Sequence, residues 1–171
     1  MKLLHHHYNF CSRCKGDLEE KSEKLLVCKK CKFHFYINPI PCNGLILENA
    51  QGEIVLIRRK YDPGKGMLDV PGGFVDIDEN FDQSLVREIK EELGFELKDF
   101  KYLGSYKGRY LFQGINYYTV CATYTAKVLK EEFQALDDVG EIVKFKPNEI
   151  PMEEIAFQAV KDALSDYLKK K

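Results

Sequence analysis

GFVDIDENFDQSLVREIKEELGF, residues 73–95, changes character partway along. From Phe81 the apolar residues Phe81, Leu85, Ile89 and Leu93 recur at every fourth position, Val86 joins them, and Gly94 follows as a stop. This pattern predicts an amphipathic helix of three to four turns over 81–93. On that helix Glu88 and Glu92 lie four apart and Glu91 lies three from Glu88, so three carboxylates crowd one side. Like charges so placed weaken a helix unless something offsets them. A solvated acidic face is one reading. The other is a site for a hard divalent cation, Mg²⁺ or Mn²⁺, which prefers oxygen ligands and joins carboxylates to substrate phosphates.

Around this helix the chain alternates short apolar runs with turns. Leu45–Leu47 and Ile54–Ile57 flank Asn49-Ala50-Gln51-Gly52 and predict a hairpin, entered through a turn-rich joint, NPIPCN at 38–43. Residues 61–66 read as a loop, 67–70 as a brief strand ending at Pro71-Gly72-Gly73, and 102–106, 117–128 and 142–145 as further strands. A second helix is expected over 152–168, with Ile155, Val160, Leu164 and Leu168 on its apolar stripe. Strands mixed with two separated helices indicate an α+β layered domain.

Upstream stand Cys11-x2-Cys14 and Cys28-x2-Cys31, thirteen residues apart. Two such couplets can set four thiolates tetrahedrally around Zn²⁺, which would be structural because four cysteines close the coordination shell. The expected organisation is therefore a small four-cysteine zinc ribbon at 1–37 and the layered domain at 38–171. Cys42 and Cys121 fall outside the couplets and read as ordinary buried thiols.

The net charge is −1 over 171 residues, so no whole-chain field draws the protein to nucleic acid or anionic lipid. No apolar run approaches the length of a membrane helix, and the first residues lack a secretory apolar region. A cytoplasmic protein with no membrane partner is the expectation. Ribbon lysines such as Lys29 and Lys30, with Phe33, Phe35 and Tyr36, offer charge and rings to an RNA strand. Packing of these rings beside the metal is the favoured reading.

Gly73, Glu79, Arg87-Glu88-Ile89, Glu91-Glu92 and Gly94-Phe95 match every fixed position of the box that defines the Nudix hydrolases, and the sequence resembles that MutT-like family over about 40–150. The amino-terminal module resembles the zinc ribbon of the family's NADH pyrophosphatase branch. The resemblance implies an α/β/α sandwich with a mixed sheet, cleaving a diphosphate linkage in a nucleoside diphosphate derivative such as NADH, ADP-ribose, a nucleotide sugar or a nucleoside triphosphate. It implies Glu91, Glu92, Glu88 and the Gly72 carbonyl as ligands of catalytic Mg²⁺ or Mn²⁺. Glu88 is alternatively the base, Arg87 orients the glutamates, and Glu79 braces the loop or touches metal through water. An acid outside the box, Glu141 or Asp138, is a further candidate for ligand or base.

Arg58 and Arg59 are candidate phosphate binders, of which a regular strand points only one into the site. Tyr106 and Tyr117, with Tyr110 and Tyr118, are candidates to stack a base. The motif that follows the box in the NADH-cleaving branch is replaced here by GSYKGRYLFQGINYYTV at 104–120, so the substrate stays open. The family also implies a homodimer. The alternative function is a catalytically silent or RNA-directed member that senses nucleotide or binds RNA through its ribbon.

Overall fold

The computed structural model describes residues 4–129 and 132–170. Strands β1 (Leu18–Ser22), β2 (Leu25–Cys28) and β3 (His34–Tyr36) form a three-stranded antiparallel sheet. Both cysteine couplets close in the same way. Lys15 N–H bonds to Cys11 O and Lys32 N–H to Cys28 O, each lysine at a φ near +60°. These turns aim the four thiols inward, where their ligand atoms lie within 4.8 Å of one another.

The remaining strands make a six-stranded mixed sheet. β4 (Ile40–Glu48) runs parallel to β8 (Ile115–Lys127) in unbroken register from Ile40 opposite Thr119 to Glu48 opposite Lys127. β7 (Lys101–Phe112) pairs antiparallel with the outer edge of β8. On the other side β5 (Ile54–Arg59) meets the end of β4, the short β6 (Leu68–Asp69) and β9 (Val139–Phe145).

Each face of this sheet carries one helix. α1 (Phe81–Leu93) buries Leu85, Ile89 and Leu93 against Leu45, Leu47, Val55 and Ile57. α2 (Gln158–Lys169) buries Val160, Ala163 and Leu164 against Ile46, Ile54 and Leu56 on the opposite face. Adjacent residues of β4 thus point alternately into two cores, as the strand period requires. The expected α+β sandwich is what forms. Among the described residues, no helix is long and apolar enough to cross a membrane.

The first helix spans the predicted residues because its ends are chemically marked. Asn80 accepts from Gln83 N–H while the Gln83 side chain accepts from Asn80 N–H, a reciprocal cap, and Gly94 closes the helix at φ 69°. Three expectations need correction. Residues 40–43, expected as a joint, are strand, because β8 pairs with β4 along its whole length. β7 runs to Phe112 rather than ending near 106, and turns at Gln113-Gly114. The last helix starts at Gln158, not 152, because Ile155 is captured beside Leu68 in extended backbone, with Ala156 N–H donating to Leu68 O.

Candidate active site

The chain between β6 and α1 lies along β4. Leu45 N–H donates to Pro71 O and Asn43 N–H to Gly73 O, which presses residues 71–73 onto the strand. A side chain is excluded at both glycines. At Gly72, φ 136°, a Cβ would stand 2.6 Å from Asn43 O, and at Gly73 a Cβ would collide with the Glu88 carboxylate. Gly72 N–H is left free of β4 and donates to Glu92 Oε2 at 2.8 Å. The glycine pair therefore places backbone directly on the helix carboxylates.

Arg87 gathers those carboxylates. Its Nε and Nη2 grip Glu79 as a fork at 2.8 and 2.9 Å, and Nη1 reaches Glu88 at 2.9 Å and Glu91 at 3.1 Å. Nη2 also donates to Phe74 O, so one guanidinium holds helix and loop in register. The Arg87 hydrogen bond holds Glu79 below the ordinary carboxylate range.

The deeper acids behave differently. Burial pushes Glu88 up despite Arg87. Burial pushes Glu92, 2% exposed, well up, opposed by the Gly72 N–H and reinforced by Asp138 and Glu88 nearby. Such acids are poorly compensated as anions, and a bound cation is what would settle them. Asn43 adds to this. Its Nδ2 donates to Ser84 Oγ at 2.8 Å, but its buried Oδ1 has no hydrogen-bond partner among the described residues.

A cavity of about 360 Å³ opens beside this cluster. Asn43, Gly72, Gly73, Arg87, Glu88, Glu91 and Asp138 are among its polar lining. Phe74, Tyr110 and Phe157 form an aromatic wall, with Phe74 edge-on to Tyr110 at 5.2 Å and Tyr110 tilted 31° from Phe157 at 5.7 Å.

The two arginines of β5 part company, as strand alternation requires. Arg59 enters the cavity. It pairs with the buried Asp69 at 2.9 Å, donates to Pro63 O and stacks 4.9 Å from the Phe157 ring centre. Arg58 lies on the other side, bound to Gly66 O, Glu154 and Glu141. That pairing also holds Glu141, 62% exposed, outside the cavity, whereas Asp138 at the start of β9 lines it. Tyr106 spends its hydroxyl on Asp166 of α2, and Tyr117 is the cross-strand partner of Tyr110 on β8. Neither lines the cavity. The cavity residues not anticipated, Asn43, Asp69, Phe74 and Phe157, come from four separate segments and have no local sequence signal.

Burial raises Asp69 from 3.8 to about 6, with Arg59 opposing. Arg59→Met leaves this carboxyl buried without its cation, and the expected loss of stability is about 3 kcal/mol. The loss has a pH signature. A carboxyl whose folded pKa lies above its unfolded value destabilises the fold as pH rises from the unfolded value to the folded one. The Arg59→Met deficit should therefore be smaller at pH 5 than at pH 8 in urea titrations. A pH-independent deficit would assign the loss to packing alone.

The four ribbon thiols also form a ready-made metal-binding set. A Cβ on Gly16 would come within 3.4 Å of both Cys14 Sγ and Cys28 Sγ, so the backbone lies close around the sulfurs. The soft thiolate set fits Zn²⁺.

A family model described as the NUDIX domain matches residues 40–169. The "ADP-ribose pyrophosphatase" of Methanocaldococcus jannaschii is 33% identical over 139 residues, which cover 81% of this chain and 78% of that protein. The "NAD-capped RNA hydrolase NudC" of Haemophilus influenzae is 31% identical over 102 residues, 57% of this chain. The match spans only 38% of that relative's length. Among solved structures, a NUDIX hydrolase from Nitrosomonas europaea superposes with a TM-score of 0.71 at 28% identity, covering 95% of this chain and 92% of that one. With the glycine pair, the Arg87 clamp and the buried glutamates all on the matched segment, the chain belongs to the Nudix family.

Proposed function

We propose that this protein is a Mg²⁺- or Mn²⁺-dependent hydrolase that cleaves the diphosphate linkage of a nucleoside diphosphate derivative. The observation that carries this reading is the cavity itself, whose lining combines underneutralised carboxylates with an aromatic wall. A diphosphate needs its negative oxygens neutralised, and a nucleobase needs a flat apolar surface.

Glu88, Glu91, Glu92 and the Gly72 carbonyl are the proposed ligands. The carbonyls of residues 71 and 73 both turn to β4, so strand alternation directs the Gly72 carbonyl to the side of Glu92. The divalent cation, when bound, supplies charge neutralisation and a more acidic water. Arg87 and Glu79 fix the loop against the helix and orient the ligands. Phe74, Tyr110 and Phe157 hold the base, and Arg59 carries positive charge into the same cavity. Water attacks phosphorus, the bridging P–O bond breaks, and a carboxylate takes the water's proton. Glu88 or Asp138 is the proposed acceptor because both line the cavity, whereas Glu141 is exposed and paired with Arg58.

The amino-terminal set is proposed to hold structural Zn²⁺ as a ribbon separate from the Nudix domain. The likeness to the M. jannaschii protein makes ADP-ribose the first substrate to test, with NADH, nucleotide sugars and nucleoside triphosphates beside it. Hydrolysis of ADP-ribose to AMP and ribose 5-phosphate, dependent on Mg²⁺ or Mn²⁺, is the expected result. Tight nucleotide binding with no turnover across the panel would favour a nucleotide sensor instead.

Asp138→Asn should lower kcat about 10²-fold or more if this group accepts the proton or holds the ion, while Glu141→Gln should stay within about twofold of wild type. The reverse order of effects would return the outer acid to the site.

A further inference from the structure

The cavity wall contains two nucleophiles that the proposed hydrolysis leaves unused. Cys42 on β4 and Cys121 on β8 are direct partners in the parallel register, and both line the cavity. Both are free thiols, Cys42 half-buried and Cys121 buried. Adjacent strands stand about 4.8 Å apart, within the Cα separation of about 4.4–6.8 Å that a disulfide spans. In-register residues also project to the same face, so both sulfurs lie on one side of the sheet.

We propose that Cys42 and Cys121 form an oxidation site in the wall of the substrate cavity, which takes a hydroperoxide as its reagent and closes to a disulfide. The Cys42 thiolate attacks the terminal peroxide oxygen. The O–O bond breaks, the sulfur becomes a sulfenic acid, and for hydrogen peroxide the departing hydroxide takes a proton to leave as water. The Cys121 sulfur then attacks the Cys42 sulfur. An S–S bond forms as the S–O bond breaks, and the Cys121 proton leaves with the hydroxide as a second water.

The order of attack follows from the surroundings. The neighbouring Cys121 side chain lowers the Cys42 thiol, and the same proximity raises Cys121. Cys42 is also the more exposed of the two. The other four cysteines are the ribbon set, whose thiolates a bound metal would shield.

The test uses the full zinc-loaded chain treated with hydrogen peroxide, then alkylated and digested for mass spectrometry. The expected product is a peptide pair joined through Cys42 and Cys121, released by dithiothreitol and formed before zinc is lost. Recovery of both cysteines as alkylated free thiols after the ribbon has oxidised would overturn the proposal, as would Cys42 sulfinic acid beside an intact Cys121 thiol. In Cys121→Ser, sulfenic acid on Cys42 should accumulate and be captured by dimedone, and its absence would overturn the order of attack.

The effect on the cavity rests on the hydrolase reading and is measured separately. The joined form should show a severalfold higher half-saturation for ADP-ribose than the reduced form, and an unchanged value would overturn the coupling. Failure of the untreated protein to turn over ADP-ribose, with the joined peptide present, would overturn ADP-ribose as substrate and leave the thiol site standing.

Discussion

Glu92→Gln is expected to abolish hydrolysis while making the metal-free protein more stable. The side chain is 2% exposed, and burial, Asp138 and Glu88 all disfavour its anion. A carboxylate kept under those conditions costs stability, with each like-charge contact worth roughly 1 kcal/mol at about 4 Å even at the dielectric constant of water. Glutamine has nearly the same shape, and its carbonyl oxygen can still accept the Gly72 N–H that Glu92 Oε2 now accepts. It removes only the charge. Activity should fall by about 10²–10³-fold, the scale for losing one preorganised electrostatic group. Melting in the absence of divalent ions should move to higher temperature. Adding Mg²⁺ should raise the wild-type midpoint through ligand linkage and leave the variant nearly unmoved. Wild-type turnover in the variant would remove Glu92 from the ligand set. A lower melting temperature would show instead that the carboxylate serves the fold.

The helix that carries these acids was legible in the sequence because every local signal agreed. Its apolar stripe and its terminal Gly94 specify the same thirteen residues, and the reciprocal cap of Asn80 and Gln83 found in the structure marks the same start. The β7–β8 hairpin was less legible. Gly104, Gly108 and the lysines of KYLGSYKGRYLF give weak strand preference, and the strand exists because β8 supplies a partner from Thr125 back to Ile115. The stripe through Ile155 was misleading for the opposite reason. Its spacing suits a helix, yet pairing with Leu68 holds Ile155 in extended backbone and delays α2 to Gln158. At the site, the box gives the glutamates, Arg87 and the glycine pair because they are close in sequence. Asn43, Asp69, Tyr110, Asp138 and Phe157 meet only through the sheet, so no spacing rule could assemble them. Strand alternation lets only one of Arg58 and Arg59 face the cavity, and Arg59 is the one that lines it.

Removing zinc should unfold the amino-terminal module and leave the Nudix domain folded. Among the described residues through 37, the buried apolar side chains are Cys11, Leu26 and Cys28, so two of these three belong to the proposed metal set. A sheet of three short strands on such a core lies below the size, about 40 residues, at which a chain holds itself without a metal or a disulfide. Binding of Zn²⁺ to four thiolates supplies about 10–16 kcal/mol in small zinc modules, more than enough to order β1–β3. The layered domain needs no such help, since its two cores bury Leu45, Leu47, Leu85 and Ile89 on one face and Ile46, Leu56, Ile155 and Leu164 on the other. Metal analysis should find one zinc per wild-type chain and none in Cys14→Ser. Limited proteolysis of that variant should cut within 11–36 and spare 40–169. If the ribbon only braces the chain, ADP-ribose turnover with added Mg²⁺ should stay within about twofold of wild type, because none of its residues lines the cavity. A large loss of turnover with the Nudix domain intact would mean that the ribbon takes part in forming the substrate site. An uncut ribbon in the zinc-free variant would show that its strands hold without metal.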